Sequence, residues 1–442
     1  MAAWDTIIRG GSVITPDGVQ KKDIAISDGR IVQLAAEIEG AAGEEIDANG
    51  LTVFPGLIDP HVHFNEPGRT EWEGFSTGSS ALAAGGGTCF FDMPLNASPP
   101  TLDGASFDTK RVAAEKSSWT DFALWGGLTP GNLDSMEELA QRGVIGFKAF
   151  MCESGISDFP YVNDQTLRRG MGIAARLGLP VAVHAEDEEL ISRLTAEARA
   201  AGRKSVRDYL NSRPIVAEVN AIHRAIGLAE EAGCSLHIVH ISSAAGCQEV
   251  ASARDKVDVT GETCPHYLAL TDADMERLGA AAKCAPPLRD SKSQITTLNA
   301  RAGIDFIASD HSPAPASMKE SSNFFDVWGG VAGIQSTRSI LLSLQPRLPI
   351  EQVGGLTATN AAARFKIPKG SIVVGADADL ALVDSQKTFT LQCEHLLDRN
   401  KFSPYIGRKL RGEVKRTILR GRTIFNDGRM IGRPGGRLVT RR

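Results

Sequence analysis

Short stretches of alternating apolar and polar residues open the chain: Thr6-Ile-Ile-Arg, Ser12-Val-Ile-Thr, Asp23-Ile-Ala-Ile-Ser and Arg30-Ile-Val-Gln-Leu, separated by Gly-Gly and Asp-Gly turns. A period of two puts alternate side chains on one face, so residues 5 to about 50 predict a small antiparallel β unit. The same texture returns in Ala378-Asp-Leu-Ala-Leu-Val-Asp and from Val414 to Gly428, beyond a turn-rich stretch at 370–377. A few strands cannot stand alone in water, and the two ends are expected to pair into one β-sandwich.

Between the ends the pattern changes to short apolar runs alternating with longer Ala- and Glu-rich stretches of helical character. Eight strands are predicted: Val53–Ile58, Thr88–Met93, Phe122–Trp125, Val144–Phe150, Pro180–His184, Ser235–Ile241, Val257–Glu262 and Asp305–Asp310. Strand and helix alternating about eight times over roughly 300 residues is the pattern of an α/β fold of the (β/α)8 TIM-barrel type. Periodicity alone leaves a doubly wound open sheet as the alternative. The expected division is residues 1–52 for the first part of the sandwich, 53–365 for the barrel, and 366–442 for the second part of the sandwich with a C-terminal extension.

Composition narrows the class of function. The 442 residues are too many for a single ordinary core. Hydrophobic residues at 42% and charged residues at 23% describe a globular chain, and the net charge of −5 with dispersed basic residues argues against nucleic acid or an anionic membrane as partner. A small molecule is the expected partner. The first residues lack a charged segment followed by a long apolar run, and nowhere do 18 apolar residues follow one another, so a cytoplasmic location is expected. Seven scattered cysteines without a Cys-x-x-Cys pair argue against a disulfide framework or a structural zinc site.

The strand ends carry the chemistry. In Phe54-Pro-Gly-Leu-Ile-Asp-Pro-His61-Val-His63, the two imidazoles are one residue apart and share a face of an extended chain. Lys148 lies within the fourth predicted strand, His184 ends the fifth, His240 is near the end of the sixth and Asp310 ends the eighth. Each has an ordinary reading, a satisfied core histidine or a surface lysine. Together they bring four imidazoles, a carboxylate and a lysine to one barrel mouth, where barrel active sites collect. A lysine in an apolar strand is costly unless its charge is removed or paired. His223 is placed on a helix and His237 has the opposite strand parity to His240, so neither is expected to reach the site. His266 and His311 lie close to strand ends, His311 being the better placed to support the site.

In these features the chain resembles the cyclic amidohydrolases, metal-dependent barrels that include dihydroorotases, hydantoinases, dihydropyrimidinases and allantoinases. The resemblance runs from Pro55 to Tyr405. It implies that Lys148 is carboxylated by CO2 to an N6-carboxylysine bridging two divalent metal ions, with His61, His63, Lys148 and Asp310 around one and Lys148, His184 and His240 around the other. Zinc suits this nitrogen and oxygen set, as would manganese, cobalt, nickel or iron. Such a pair activates water and polarises a carbonyl, with Asp310 as the expected general acid and base. A homotetramer is implied by the resemblance only.

Within the family, Asn65 stands where dihydroorotases usually carry an arginine, and no tyrosine follows Lys148 by five positions as in hydantoinases and dihydropyrimidinases. The segments His63–Gly74, Asp92–Asn96, Gly146–Lys148, Glu262–Leu268, Ser309–Pro313 and Trp328–Gln335 resemble the allantoinase branch, which implies hydrolysis of allantoin to allantoate. Ala285 departs from it, since relatives often carry serine before Pro-Pro. Expected substrate contacts are Asn65, Asn96, Glu153, Ser154 and Trp328. Hydantoinase or dihydropyrimidinase activity is the alternative. A scaffold role, known for relatives that have lost ligands, is disfavoured because all six ligand positions are filled.

Overall fold

The computed structural model describes residues 4–296 and 298–442. Both chain ends enter one nine-stranded sheet, the β-sandwich domain built from the two termini. The long strand Trp4–Thr15 pairs antiparallel with Gly18–Ser27 and parallel with Ala42–Asp47 and Thr52–Pro55. Leu380–Thr390 lies antiparallel to Thr52–Pro55 and hands the sheet on to Lys409–Leu419 and Arg422–Asn426. Period-two alternation works as expected here. Ile8, Val13, Ile24, Ile26, Val53, Leu380, Leu382 and Ile418 share one apolar cluster.

The middle of the chain is a (β/α)8 barrel. Its parallel strands are Leu57–Val62, Gly87–Asp92, the Asp121–Gly127 segment interrupted at Trp125, Phe147–Phe150, Val181–His184, Leu236–Ile238, Val259–Thr263 and Phe306–Ile307. A parallel bridge from Val62 to His311 closes the ring. Asp59 reinforces that closure: its carboxyl accepts from the Ser309 N–H at 3.0 Å and the His61 N–H at 3.3 Å. Phe91, Trp125, Phe306 and Phe365 pack ring to edge or face as part of the barrel filling, and the Trp125 indole donates to the Pro60 carbonyl at 3.0 Å.

The first predicted strand needs correction. Val53–Ile58 is not one strand: Thr52–Pro55 belongs to the sheet and Leu57–Val62 to the barrel, with Gly56 as the joint. A Cβ on Gly56 would stand 2.2 Å from Thr88 Oγ1, so the chain can cross beside the second barrel strand only without a side chain. His61 therefore lies inside the first barrel strand rather than after it. The sixth and eighth strands are shorter than predicted, at Leu236–Ile238 and Phe306–Ile307, because the backbone turns left-handed beyond them, with φ of 39° at His240 and 45° at Asp310.

Candidate metal and active site

The four histidines and Asp310 meet at a cavity of about 430 Å³ at the C-terminal ends of the barrel strands. His61 and His63 leave the first strand side by side, ring centres 5.4 Å apart, and each Nε2 lies 3.3 Å from Asp310 Oδ1. These three residues form a cluster able to hold a metal ion. His184 Nδ1 faces His240 Nε2 at 3.0 Å, and the His240 ring is 5.4 Å from that of His61. Backbone strain aims two of these groups. His240 and Asp310 carry bulky or polar side chains at positive φ, a conformation that costs energy and concentrates at functional sites.

Lys148 has no exposed surface, and its Nζ makes no hydrogen bond among the described residues, lying 5.1 Å from the centre of the Phe150 ring. Burial pulls its pKa down to about 7, against the opposing pull of Glu262 and Asp310. An amine in this position loses its proton far more readily than one at the surface. Burial likewise lowers His61, His184 and His240, keeping the imidazoles neutral, the form that ligates a metal. Four imidazoles, one carboxylate and an orphaned buried amine, with no thiolate among them, suit a hard or borderline divalent ion.

Supporting carboxylates, absent from the sequence reading, fix the rings. Glu262 Oε1 lies 2.6 Å from His61 Nδ1, and its Oε2 is 3.1 Å from His237 Nε2. Burial raises Glu262 to about 8. Glu186 Oε2 sits 2.9 Å from His184 Nε2 and pairs with Arg213. Burial, the largest single influence, would raise Glu186, but Arg213, His184 and Arg289 together overcome it and hold the carboxyl at about 2. A carboxylate on the far nitrogen orients a ligating histidine and selects its tautomer. The signal in the sequence was an acid embedded in an apolar strand or two places after a ligand.

His237 does not line the cavity. Odd spacing from His240 places the two on opposite faces only while the strand continues, and the strand stops at Ile238. His237 is buried against Phe306 and reaches the site indirectly through Glu262. His311 supports its neighbours: its carbonyl accepts from the His63 N–H at 2.8 Å, and its Nδ1 accepts from the Gly333 N–H at 3.2 Å. His223 is exposed on its helix against Glu249, and both ring nitrogens of buried His266 lack a partner among the described residues.

Asn96, Glu153, Ser154 and Trp328 line the cavity. Asn65 stands outside that lining, buried, with its amide 3.5 Å from the Pro313 carbonyl and its backbone at a φ of 63°. The left-handed turn directs its side chain toward the loop after the eighth strand. Ser154 lines the cavity, but its hydroxyl is engaged within its own loop by the Ile156 and Phe159 carbonyls at 3.1 and 2.7 Å. Trp328 packs edge-on against Trp72 with ring centres 4.9 Å apart, and its indole N–H has no partner among the described residues. Trp328 thus offers the cavity an apolar packing face and a free indole donor among the described residues.

Residues 52–424 match the model of the amidohydrolase family. The chain is 56% identical to a protein named allantoinase from Solibacter usitatus, over 98% of this chain and 96% of that one. It is 54% identical to an allantoinase from Rubrobacter xylanophilus, over 99% and 98%. A solved L-hydantoinase (dihydropyrimidinase) from Arthrobacter aurescens superposes with a TM-score of 0.94 at 32% identity, covering 99% of this chain and 100% of that one. Sequence and fold therefore agree along nearly the whole length, and the chain belongs to the amidohydrolase family.

Proposed function

We propose that the protein hydrolyses the hydantoin-ring amide of allantoin, giving allantoate. The observation that carries this reading is the convergence of His61, His63, His184, His240 and Asp310 over a buried, unpartnered Lys148 in a chain 56% identical to an allantoinase. Solved hydantoinase neighbours support the alternative of a simpler cyclic amide, at the lower identity of 32%.

Two divalent metals, with zinc as the proposed ion, would be held by His61, His63 and Asp310 on one side and His184 and His240 on the other. Lys148 would bridge them as a carbamate. Its neutral Nζ adds to the carbon of CO2, forming an N–C bond, and the released proton leaves to solvent, which turns an unpaired amine into an anion. When bound, the metal pair would supply water activation and polarisation of the amide carbonyl. Asp310, partly open to the cavity, would take the proton from water and return it to the leaving ring nitrogen. Glu262 and Glu186 keep His61 and His184 in the tautomers that present their other nitrogens to the site.

No helix among the described residues is long and apolar enough to cross a membrane, and a cytoplasmic homotetramer acting on a small molecule completes the proposal. The deciding experiment compares kcat/KM for both allantoin enantiomers, hydantoin, dihydrouracil and dihydroorotate with the metal-loaded enzyme. Allantoin is expected to be the best of these. A simple hydantoin or dihydrouracil processed about tenfold better would overturn the choice of substrate and leave the metal site standing. Asp310→Asn should lower kcat by about 100-fold or more with KM little changed, since proton transfer is exercised in the transition state. A variant retaining both metals and turning over at the wild-type rate would remove Asp310 from that role.

A further inference from the structure

Two lysines outside the metal site are buried beside the cavity, and each is bonded to backbone carbonyls. Lys283 Nζ donates to the carbonyls of Phe324 at 2.6 Å, Phe325 at 3.2 Å and Val327. It also lies 4.6 Å from the centre of the Tyr209 ring. Lys319 Nζ donates to the carbonyls of Trp328 at 3.0 Å and Gly330 at 2.7 Å. Among the described residues no carboxylate lies within the 4.0 Å of either amine that would make an ion pair. Five carbonyls of one short segment, residues 324–330, thus converge on two buried amines. The segment has little regular structure to satisfy its backbone otherwise, a single 3₁₀ turn at Phe324–Asp326.

This segment is a wall of the cavity. Phe325, Val327, Trp328 and Gly330 line it, and so do Lys283 itself and the Cys284 and Ala285 that follow it. The two sides are tied back to back: the Gly330 N–H donates to the Lys283 carbonyl at 2.7 Å, and the Trp328 N–H donates to the Met318 carbonyl at 2.8 Å. Burial lowers both lysines, Lys283 to about 7 and Lys319 to about 8. Even as neutral amines each would keep two N–H donors for these carbonyls.

We propose that Lys283 and Lys319 are positioning residues for substrate recognition: their amines gather the carbonyls of residues 324–330 and fix the cavity wall, with Trp328 on it, against which a ring substrate is seated. The kinetic part of this inference rests on the reading of the site given above. The structural part does not.

The test uses the metal-loaded enzyme with Lys283→Met and Lys319→Met. Three quantities are read for each: bound metal, amide hydrogen exchange of residues 324–330, and kcat and KM for allantoin. Metal content should be unchanged, exchange at 324–330 should accelerate by about tenfold or more, and KM should rise about fivefold to tenfold with kcat within about twofold. Exchange at the wild-type rate in both variants would overturn the proposal, as would wild-type KM, or a loss of metal that accounts for the loss of activity. Should Lys283→Met fail to fold, Lys319→Met, which releases the Trp328 and Gly330 carbonyls of the wall together with the Ala280 carbonyl at 3.5 Å, decides alone. Should the wild-type enzyme prefer another cyclic amide, the substrate reading fails, and that amide replaces allantoin as kinetic probe while the exchange measurement stands.

Discussion

Lys148 shows most clearly how a single residue carries the site. A fully buried ammonium without a partner costs several kcal/mol, so the chain must either neutralise it or convert it. Lys148→Ala should lose bound metal and activity, and short carboxylic acids added to the variant should restore part of both by supplying the missing carboxylate. Metal analysis with and without the acid checks this, and two metals with full activity in the unrescued variant would refute it. Glu186 gives a pH signature instead. Its folded pKa of about 2 lies below the ordinary 4.5 because Arg213, His184 and Arg289 together overcome the raising effect of burial. The unfolded chain therefore binds the proton first, and the stabilisation, whole above pH 4.5, is lost as pH falls toward 2. In the metal-free protein the stability gap between wild type and Glu186→Gln should close by about 3 kcal/mol over that range, read from urea unfolding. A gap that stays constant with pH would dismiss the ion pair as the cause.

Among the elements, the first barrel strand depends on how it begins. Gly56 separates a sheet strand from a barrel strand at the point where the backbone runs against Thr88, so the position tolerates no Cβ without a shift. Gly56→Val should destabilise the protein by about 1–3 kcal/mol through overpacking. Because the strand that would shift carries His61, metal affinity should fall with stability. Denaturant unfolding together with metal titration tests both, and a folded variant with wild-type metal affinity would mean the strand accommodates the methyl groups. The sixth and eighth strands carry the complementary lesson. Their predicted ligands, His240 and Asp310, sit just beyond the last paired residue, in left-handed backbone that a period-two pattern does not describe.

Across the whole molecule, barrel and sheet are joined by a buried charge network centred on Lys369, whose Nζ lies 2.8 Å from Asp121 of the third barrel strand and 2.6 Å from Asp379 at the start of the returning sheet. Arg420 pairs with the same Asp121 and donates to the Gly435 carbonyl at 2.6 Å, while the Val439 N–H donates to the Phe122 carbonyl at 2.7 Å. The C-terminal extension is thereby fastened to the third strand. Lys369→Met leaves two buried carboxylates facing each other without that cation and should cost about 3–5 kcal/mol. Metal content should stay at the wild-type level, since among the described residues the Lys369 amine pairs with Asp121, Asp377 and Asp379 and with none of the site residues. A loss under about 1 kcal/mol in denaturant unfolding would show the network to be redundant.

Local pattern determined a good deal on its own. Alternation announced the two terminal β segments, strand-helix repetition announced an α/β fold, either barrel or open sheet, and the polar residues at strand ends pointed to the barrel mouth, because periodicity and residue type are properties of neighbouring positions. What tertiary structure decided was whatever depends on distant parts of the chain meeting. The break at Gly56 follows from Thr88, 32 positions away in the numbering. The indirect link of His237 to the site becomes visible only once Glu262 stands between it and His61. The pairing of Arg213 with Glu186, the turning of Asn65 toward Pro313 and the grip of two lysines on the 324–330 wall are likewise contacts between loops. Hydrophobic patterning says which face of an element is buried, whereas a side chain's partner, charge state and direction are set by what the fold brings against that face.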